Sequence, residues 1–215
     1  QSVAKSELSV LHLHSTKVGT HLSLQVWSRL VQNSVKSPIV FEGVGLHTGV
    51  PARVVLRPAS AGAGIAFRRV DLAGMPVIAA LWQNVIVSPL NTRLANADGV
   101  SVSTIEHLMA ALAGCGVHNA LIDIDAAEVP ILDGSAAAFV RGIVATGLQT
   151  DTAPLQAIEI PRDVTVTQGE ATATLSPATT LQIDFAIDFA DAAIGRQHKT
   201  LNMANGAFVR ELCDS

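Results

Sequence analysis

The segment STIEHLMAAL, residues 103–112, decides the fold class, because it predicts an amphipathic helix in a chain that is otherwise rich in strand patterns. The apolar side chains that share one face at helical spacing are Ile105, Leu108, Met109 and Leu112. The other face carries Glu106 and His107 beside the small side chains of Ala110 and Ala111. This arrangement leaves room for another molecule to approach the two polar groups.

Strand patterns surround this helix. The segments of β-branched, apolar or alternating residues are 39–41, 52–56, 65–70 and 121–125. A second helix is predicted at 135–144 and is closed by Gly147. A run of strands followed by helices indicates an α+β fold rather than a doubly wound parallel sheet.

A short internal repeat predicts two similar halves. Residues 52–58 and 171–177 both have the pattern Ala-x-x-x-Leu-x-Pro, and each follows a turn that contains glycine. We therefore expect two similar sheet-plus-helix domains packed as a sandwich, with the second incomplete. The predicted division is an extension or targeting segment at 1–37, a first domain at 38–150, and the start of a truncated second domain at 155–215.

Composition and charge exclude several classes of protein. Hydrophobic residues make up 49% of the 215 and charged residues 15%, which excludes a chain that is disordered throughout. No apolar run reaches the roughly 18 residues of a membrane-spanning helix, so we expect a soluble protein without an integral membrane segment. The net charge of −4 argues against nonspecific nucleic-acid binding, which needs a basic face.

Two cysteines are too few for a disulfide scaffold. Cys115 and Cys213 form no CxxC pair, which favours a reducing compartment. A cytoplasmic location is therefore the expectation, and organellar targeting by residues 1–37 is the weaker alternative.

Glu106 has two interpretations. Ser103 and Glu106 have the S-x-x-E spacing of a capping box, in which each side chain satisfies a backbone N–H of the first helical turn. Alternatively, Glu106 is a general base beside a metal ligand, His107, and the helix dipole favours an ionised carboxylate and a neutral imidazole. A carboxylate base beside a metal-bound water is the minimum requirement for hydrolysing an amide. One histidine is not a zinc site, so the other ligands would have to come from elsewhere.

The remaining histidine motifs have simpler interpretations when they are taken alone. His47 stands at the tip of a Gly-rich turn, where a histidine is more often solvated than functional. His12 and His14 form an HxH pair that could bind metal, but a surface pair in an extension explains it better.

The acidic residues between 119 and 135 do not predict a metal site. Asp123 and Asp125 alternate with isoleucines, as on the solvated face of a strand. Glu128 lacks the neighbours of a calcium loop. Asp133 and Ser135 precede the second helix, where either side chain can cap it.

Taken together, the motifs resemble one family, the UDP-3-O-acyl-N-acetylglucosamine deacetylases of lipid A synthesis. The matching motifs are GVGLHTG at 43–49, LRPA at 56–59, FRRVDL at 67–72, STIEHLMAALAGCGVHNALIDI at 103–124 and EVPILDGSAAAFV at 128–140. The resemblance implies two similar α+β domains with the active site between them, and a zinc cofactor. It also implies removal of the N-acetyl group from a UDP-linked, 3-O-acylated glucosamine, with release of acetate.

The resemblance also implies roles for individual residues. Glu106 matches the family's general base and His107 matches a zinc ligand. The residues implied to lie at the substrate are His47, Leu90, Asn91 and Asp133.

One departure from the family pattern affects the expected activity. The family's remaining zinc ligands lie in a late H-K-x-L-D motif, whereas residues 198–202 read HKTLN in a different context. We therefore do not assign His198 to zinc, and we expect the chain as it stands to hold zinc weakly and to be inactive. Two functions remain open: a truncated form of the zinc-dependent deacetylase, or a truncated non-catalytic remnant that binds a sugar nucleotide or a partner protein.

Overall fold

β-strands predominate in the structure, a computed structural model that describes residues 11–13, 31–203, 208 and 213. The side chain of His12 and the whole of His14 lie outside the described residues, and so do most of residues 204–213, for which the sequence also predicts a helix. The chain divides into a larger unit, 29–155 with 208–215, and a smaller unit, 1–28 with 156–207.

The strands among the described residues are, in chain order, β1 (Leu11–Leu13), β2 (Val31–Val35), β3 (Ile39–Val44), β4 (Pro51–Pro58), β5 (Ile65–Arg69), β6 (Val77–Ala79), β7 (Val85–Ile86), β8 (Arg93–Ala95), β9 (Ser101–Ser103), β10 (Ala120–Ile124), β11 (Leu148–Pro154), β12 (Val164–Gln168), β13 (Ala171–Leu175), β14 (Gln182–Asp188) and β15 (Arg196–Asn202). The helices that lie wholly within the described ranges are α1 (Glu106–Gly114) and α2 (Ala137–Thr146), with a short 3-10 turn at Trp82–Asn84. Within the described ranges, no helix is long and apolar enough to cross a bilayer.

The main sheet of the larger unit has the strand order β3-β4-β10-β5-β6. β10 is antiparallel to β4 and parallel to β5, so the strand that follows α1 lies at the centre. One face of this sheet is covered by helix: Phe41 of β3 meets Phe139 of α2 edge to face, with ring centroids 4.9 Å apart. Gly142 makes this approach possible, because a Cβ at that position would collide with the ring of Phe41.

Two smaller sheets complete the larger unit. β2 pairs with β11, and β7, β8 and β9 form a three-stranded sheet in that order. β2 lies within the segment 1–37 that the sequence separates as an extension. The domain boundaries drawn from the sequence stay a prediction.

The smaller unit repeats the plan of the main sheet with one reversal. Its strand order is β12-β13-β1-β14-β15, so the hairpins β12-β13 and β14-β15 take the positions of β3-β4 and β5-β6. The central strand differs: β1 is parallel to β13 and antiparallel to β14, the opposite of β10 between β4 and β5. The repeated Ala-x-x-x-Leu-x-Pro pattern accordingly begins on β4 and on β13, the second strand of each sheet.

The structure confirms the α+β class and the predicted strands and helices of the larger unit. Packing of two domains as a sandwich, with the second incomplete, stays a prediction. The capping box is wrong, because Ser103 ends β9 and its hydroxyl donates to the carbonyl of Ala127 at 3.3 Å. Helix α1 begins three residues later, at Glu106.

The predicted exposure of Asp123 is also wrong. Its carboxylate is buried between the guanidinium groups of Arg57 and Arg68, with 2.6 Å from each Nε to a carboxylate oxygen. Arg68 stands opposite Asp123 on β5, and Arg57 lies on β4 opposite Leu121, two residues away along β10. Asp125 is exposed as predicted.

Candidate functional site

The carboxylate of Glu128 lies at the centre of the predicted site. The N–H of His47 donates to both of its oxygens, at 3.0 and 3.2 Å, and the N–H of Thr48 donates to Oε2 at 2.8 Å. Gly45 allows this approach, because a Cβ there would collide with the carboxylate and with the Thr48 hydroxyl. The turn that carries His47 is thus attached to the centre of the fold through its backbone.

A second segment reaches the same carboxylate from the other side. The hydroxyl of Thr104 donates to Oε1 of Glu128 at 2.7 Å and accepts a hydrogen bond from the side-chain amide of Asn91 at 3.1 Å. Thr104 has a φ of 56°, an uncommon conformation for a β-branched residue. The chain turns there from β9 into α1, whose first two residues are Glu106 and His107.

Glu106 and His107 are both partly exposed at the start of α1. Oε2 of Glu106 accepts a hydrogen bond from the N–H of Thr92 at 3.0 Å. That bond fixes the carboxylate against the segment that carries Asn91, instead of against its own helix. The buried face of the helix is formed by Leu108, Ala111 and Leu112, so Ala111 lies on the opposite face to that predicted.

The structure gathers some of the predicted residues and leaves others apart. His47, Asn91 and the start of α1 are joined through Glu128 and Thr104. Leu90 is 76% exposed, next to Asn91 in the chain. Asp133 is exposed in the loop before α2, where its carboxylate accepts bonds from the N–H and hydroxyl of Ser135 at 3.1 and 2.9 Å. The hydroxyl of Ser135 in turn accepts from the N–H of Ala137, the first residue of α2.

Glu128 is ionised in this environment. Burial alone would raise the pKa of its carboxyl group, but the hydrogen bonds from His47, Thr104 and Thr48 outweigh that cost and lower the pKa from 4.5 to about 2. For Asp133, hydrogen bonds from Ser135 are the main cause of a lowered pKa. Burial lowers the pKa of His118, whose Nδ1 accepts the N–H of Asn33 away from the site.

An apolar pocket of about 260 Å³ opens beside Glu106. It is lined by Ala80, Leu81, Trp82, Val85, Thr92, Leu94, Ile105, Glu106 and Met109. A larger and more polar pocket of about 330 Å³, around Asn33, Ser60 and Asp151, contains none of the predicted site residues. The chemistry therefore favours the smaller pocket as part of the site.

A metal ion fits this site only in part. His107 follows Glu106 in the chain and has a partly exposed side chain, which suits one zinc ligand. Within the part of the chain that the structure describes, no three His, Cys, Asp or Glu side chains are grouped so that they could hold a metal. His198 stands on β15 in the smaller unit, with its Nε2 3.0 Å from a carboxylate oxygen of Asp184.

Sequence reasoning missed three residues of the network, namely Thr92, Thr104 and Glu128. Thr92 and Thr104 act through contacts that are distant in the chain and leave no local pattern. Glu128 did carry a signal: it is a single carboxylate within AAEVPI, residues 126–131, and a charge within so apolar a segment is typical of a buried, paired group.

Comparison with known proteins gives a consistent result. Residues 32–215 match the family model described as LpxC, UDP-3-O-acyl N-acetylglycosamine deacetylase. A UDP-3-O-acyl-N-acetylglucosamine deacetylase of Phenylobacterium zucineum is 46% identical over 186 residues, which cover 86% of this chain and 64% of that protein. Proteins of the same name from Citrifermentans bemidjiense and Shewanella piezotolerans are 43% and 40% identical, covering 84% and 85% of this chain. The matched regions make up 59% and 60% of the lengths of those two proteins. The chain thus spans about 60% of the length of these relatives, and it belongs to the LpxC family of UDP-3-O-acyl N-acetylglycosamine deacetylases.

Proposed function

We propose that this protein is a zinc-dependent hydrolase that removes the N-acetyl group from a UDP-linked, 3-O-acylated N-acetylglucosamine and releases acetate, a step of lipid A biosynthesis. Family membership supports the reaction class. The observation that carries the proposal is the pair Glu106 and His107 at the first turn of α1, both partly exposed, with Glu106 lining an apolar pocket. A cytoplasmic location belongs to the same proposal.

Glu106 is the general base in this proposal. Its Oε2 is fixed by the N–H of Thr92, and Oε1 of the same carboxylate takes a proton from the attacking water. The oxygen of that water forms a bond to the acetyl carbon, the C–N bond breaks, and the proton ends on the amine nitrogen of the sugar. Zinc, when bound with His107 among its ligands, supplies Lewis acidity toward the amide carbonyl.

The other predicted residues bind and orient the substrate in this proposal. His47 presents its side chain from a turn whose backbone is held by Glu128, so a hydrogen bond from the imidazole to the substrate would be preorganised. Leu90 is largely exposed next to Asn91 and offers apolar surface to an acyl chain. Asp133 keeps a negative charge in an exposed loop, where it can accept hydrogen bonds from sugar hydroxyl groups.

Acetate release from the UDP-3-O-acylated substrate, measured together with zinc content, tests the proposal in a form of the protein that carries the family's H-K-x-L-D motif, because the 215 residues alone are expected to be inactive. Glu106→Gln keeps the size of the side chain but removes the base, so turnover is expected to fall by orders of magnitude while zinc content is unchanged. Glu42→Gln, at an exposed carboxylate paired with Arg53, is the matched control and should keep full turnover. Near-normal turnover of Glu106→Gln would contradict the assigned role.

The same experiment separates the alternative function. In the form that carries the H-K-x-L-D motif, a wild-type protein that binds the sugar nucleotide but releases no acetate would support a non-catalytic remnant. A chain that neither binds the substrate nor releases acetate would contradict both.

A further inference from the structure

Glu128 is a buried carboxylate whose hydrogen-bond donors come from two separate segments. The side chain is 1% exposed. Its donors are the backbone N–H groups of His47 and Thr48 on one side and the hydroxyl of Thr104 on the other. These segments are about 80 and 24 residues from Glu128 in sequence, so the carboxylate joins parts of the chain that have no local reason to meet.

A purely structural role is a poor explanation for this group. Burying a carboxylate costs several kcal/mol before its partners are counted, and apolar replacements of buried charges are often neutral or stabilising. The surroundings are also adapted to the charge. A Cβ at position 45 would collide with the carboxylate of Glu128. The backbone of Thr104, whose hydroxyl donates to the same carboxylate, has a left-handed conformation. Strain of this kind is concentrated at functional sites.

We propose that Glu128 is a positioning residue for the hydrolytic site, an inference that rests on the function proposed above. It fixes the turn of His47 through two backbone amides. Through Thr104 it fixes both the side chain of Asn91 and the chain direction into α1, and hence the place of Glu106. Glu128 need not touch the substrate, because it acts through the residues that do.

Further hydrogen bonds hold Glu128 itself in place. The N–H of Val129 donates to the carbonyl of Ser103 at 3.0 Å, and the N–H of Ile131 donates to the carbonyl of Val44 at 3.0 Å. The residues after Glu128 are thus attached to the same two segments that its carboxylate joins. Replacing the Glu128 side chain should therefore change the hydrogen bonds of the site and leave the backbone hydrogen bonds of residues 129 and 131 in place.

The test compares Glu128→Gln with Asp123→Asn in the 215-residue chain, without metal or substrate. Both variants neutralise a buried carboxylate, but Asp123 bonds to Arg57 and Arg68 and not to the site. Amide hydrogen exchange by NMR is followed at His47 and Thr48, and at sheet residues such as Ile122 as a measure of global opening. Because Gln has a single, neutral acceptor oxygen in place of an ionised carboxylate, the hydrogen bonds from the two amides should weaken, and protection at His47 and Thr48 should fall about tenfold or more relative to the sheet.

Asp123→Asn should lower protection everywhere without a selective effect at His47 and Thr48. Unchanged protection of those two amides in Glu128→Gln would overturn the proposal, and so would an equal loss in both variants. If Glu128→Gln fails to fold, Thr104→Ala provides the test from the other side. It should shift the amide resonances of Glu106 and His107 and leave His47 and Thr48 protected, and a spectrum unchanged at the start of α1 would overturn the proposal.

These measurements do not depend on turnover. Failure of Glu106 as the base would leave the predicted exchange pattern in place, and failure of the pattern would leave the assignment of Glu106 standing. The two proposals are therefore separable.

Discussion

The hydroxyl of Thr104 donates a hydrogen bond of 2.7 Å to the carboxylate of Glu128, across a separation of 24 residues. The backbone of Thr104 has a φ of 56°, a left-handed value that most residues avoid. The same hydroxyl accepts the side-chain amide of Asn91, so donor and acceptor capacity are both used. One small side chain therefore connects Glu128, the start of α1 and the segment that carries Asn91.

Substitutions at Thr104 should distinguish the contribution of its hydroxyl group to stability from that of its methyl group. Thr104→Ser keeps both hydrogen bonds, so its free energy of unfolding, measured in denaturant, should lie within about 0.5 kcal/mol of that of the wild type. Thr104→Ala leaves the ionised Glu128 with one donor fewer and should lose roughly 1–3 kcal/mol. Equal stability of the Ser and Ala variants would show that the bond contributes nothing.

Stability at acid pH should depend on Glu128. Because the folded pKa is lowered from 4.5 to about 2, the carboxyl group stabilises the fold above pH 4.5 and loses that contribution as the pH falls through about 2. The shift corresponds to about 3 kcal/mol at neutral pH. Unfolding free energies of wild type and Glu128→Gln, measured from pH 7 to pH 2, should therefore converge as the solution becomes acidic.

The titration of other carboxylates should not affect the difference in unfolding free energy between wild type and Glu128→Gln. Asp71 and Asp123 also have lowered pKa values, which hydrogen bonds to arginines maintain, but they are present in both proteins and cancel in the difference. A difference between the two proteins that stays constant down to pH 2 would mean that Glu128 is not the titrating group.

Local patterns predicted the elements of the larger unit but not their contacts. The apolar spacing of 105–112 identified α1, and its N-terminal Glu106 and His107 were found from the sequence. The predicted start of the helix is wrong because the Ser103 hydroxyl bonds to the carbonyl of Ala127. This partner lies 24 residues away in the chain, so the S-x-x-E spacing of residues 103–106 cannot reveal it. The burial of Asp123 was missed for the same reason, since its arginine partners stand on neighbouring strands.

Gly45→Ala should destabilise the turn of His47. The added methyl group would meet the Glu128 carboxylate and the Thr48 hydroxyl, and crowding in a packed region costs roughly 1–3 kcal/mol. Gly49→Ala is the control: nothing lies within 4 Å of its Cβ, so it reports only the cost of a φ of 64°. If Gly45→Ala shows wild-type stability and an unmoved His47 amide resonance in NMR, the close approach is not required.

Two carboxylates on the main sheet should differ in the strength of their ion pairs because they differ in burial. Asp123→Asn removes a 5% exposed carboxylate shared by Arg57 and Arg68 and should cost roughly 1.5–3 kcal/mol in chemical denaturation. Glu42→Gln breaks an exposed pair with Arg53 and should cost less than about 1 kcal/mol. A reversed order would mean that the arginines stabilise the sheet without Asp123.

The reversed central strand of the smaller unit has a consequence for synthesis. β1 contains Leu11, which pairs with Ala173 and Phe185, so this sheet is closed by residues translated long before their partners. At 5–20 residues per second, a ribosome needs roughly 10–30 s to make the intervening chain. Until then the strands that pair with β1 in the structure do not yet exist, while the main sheet of the larger unit, whose strands all lie between residues 39 and 124, can already form. β1 must therefore stay without these partners until β13 and β14 have been made, and during that time it is available to a chaperone that binds the nascent chain.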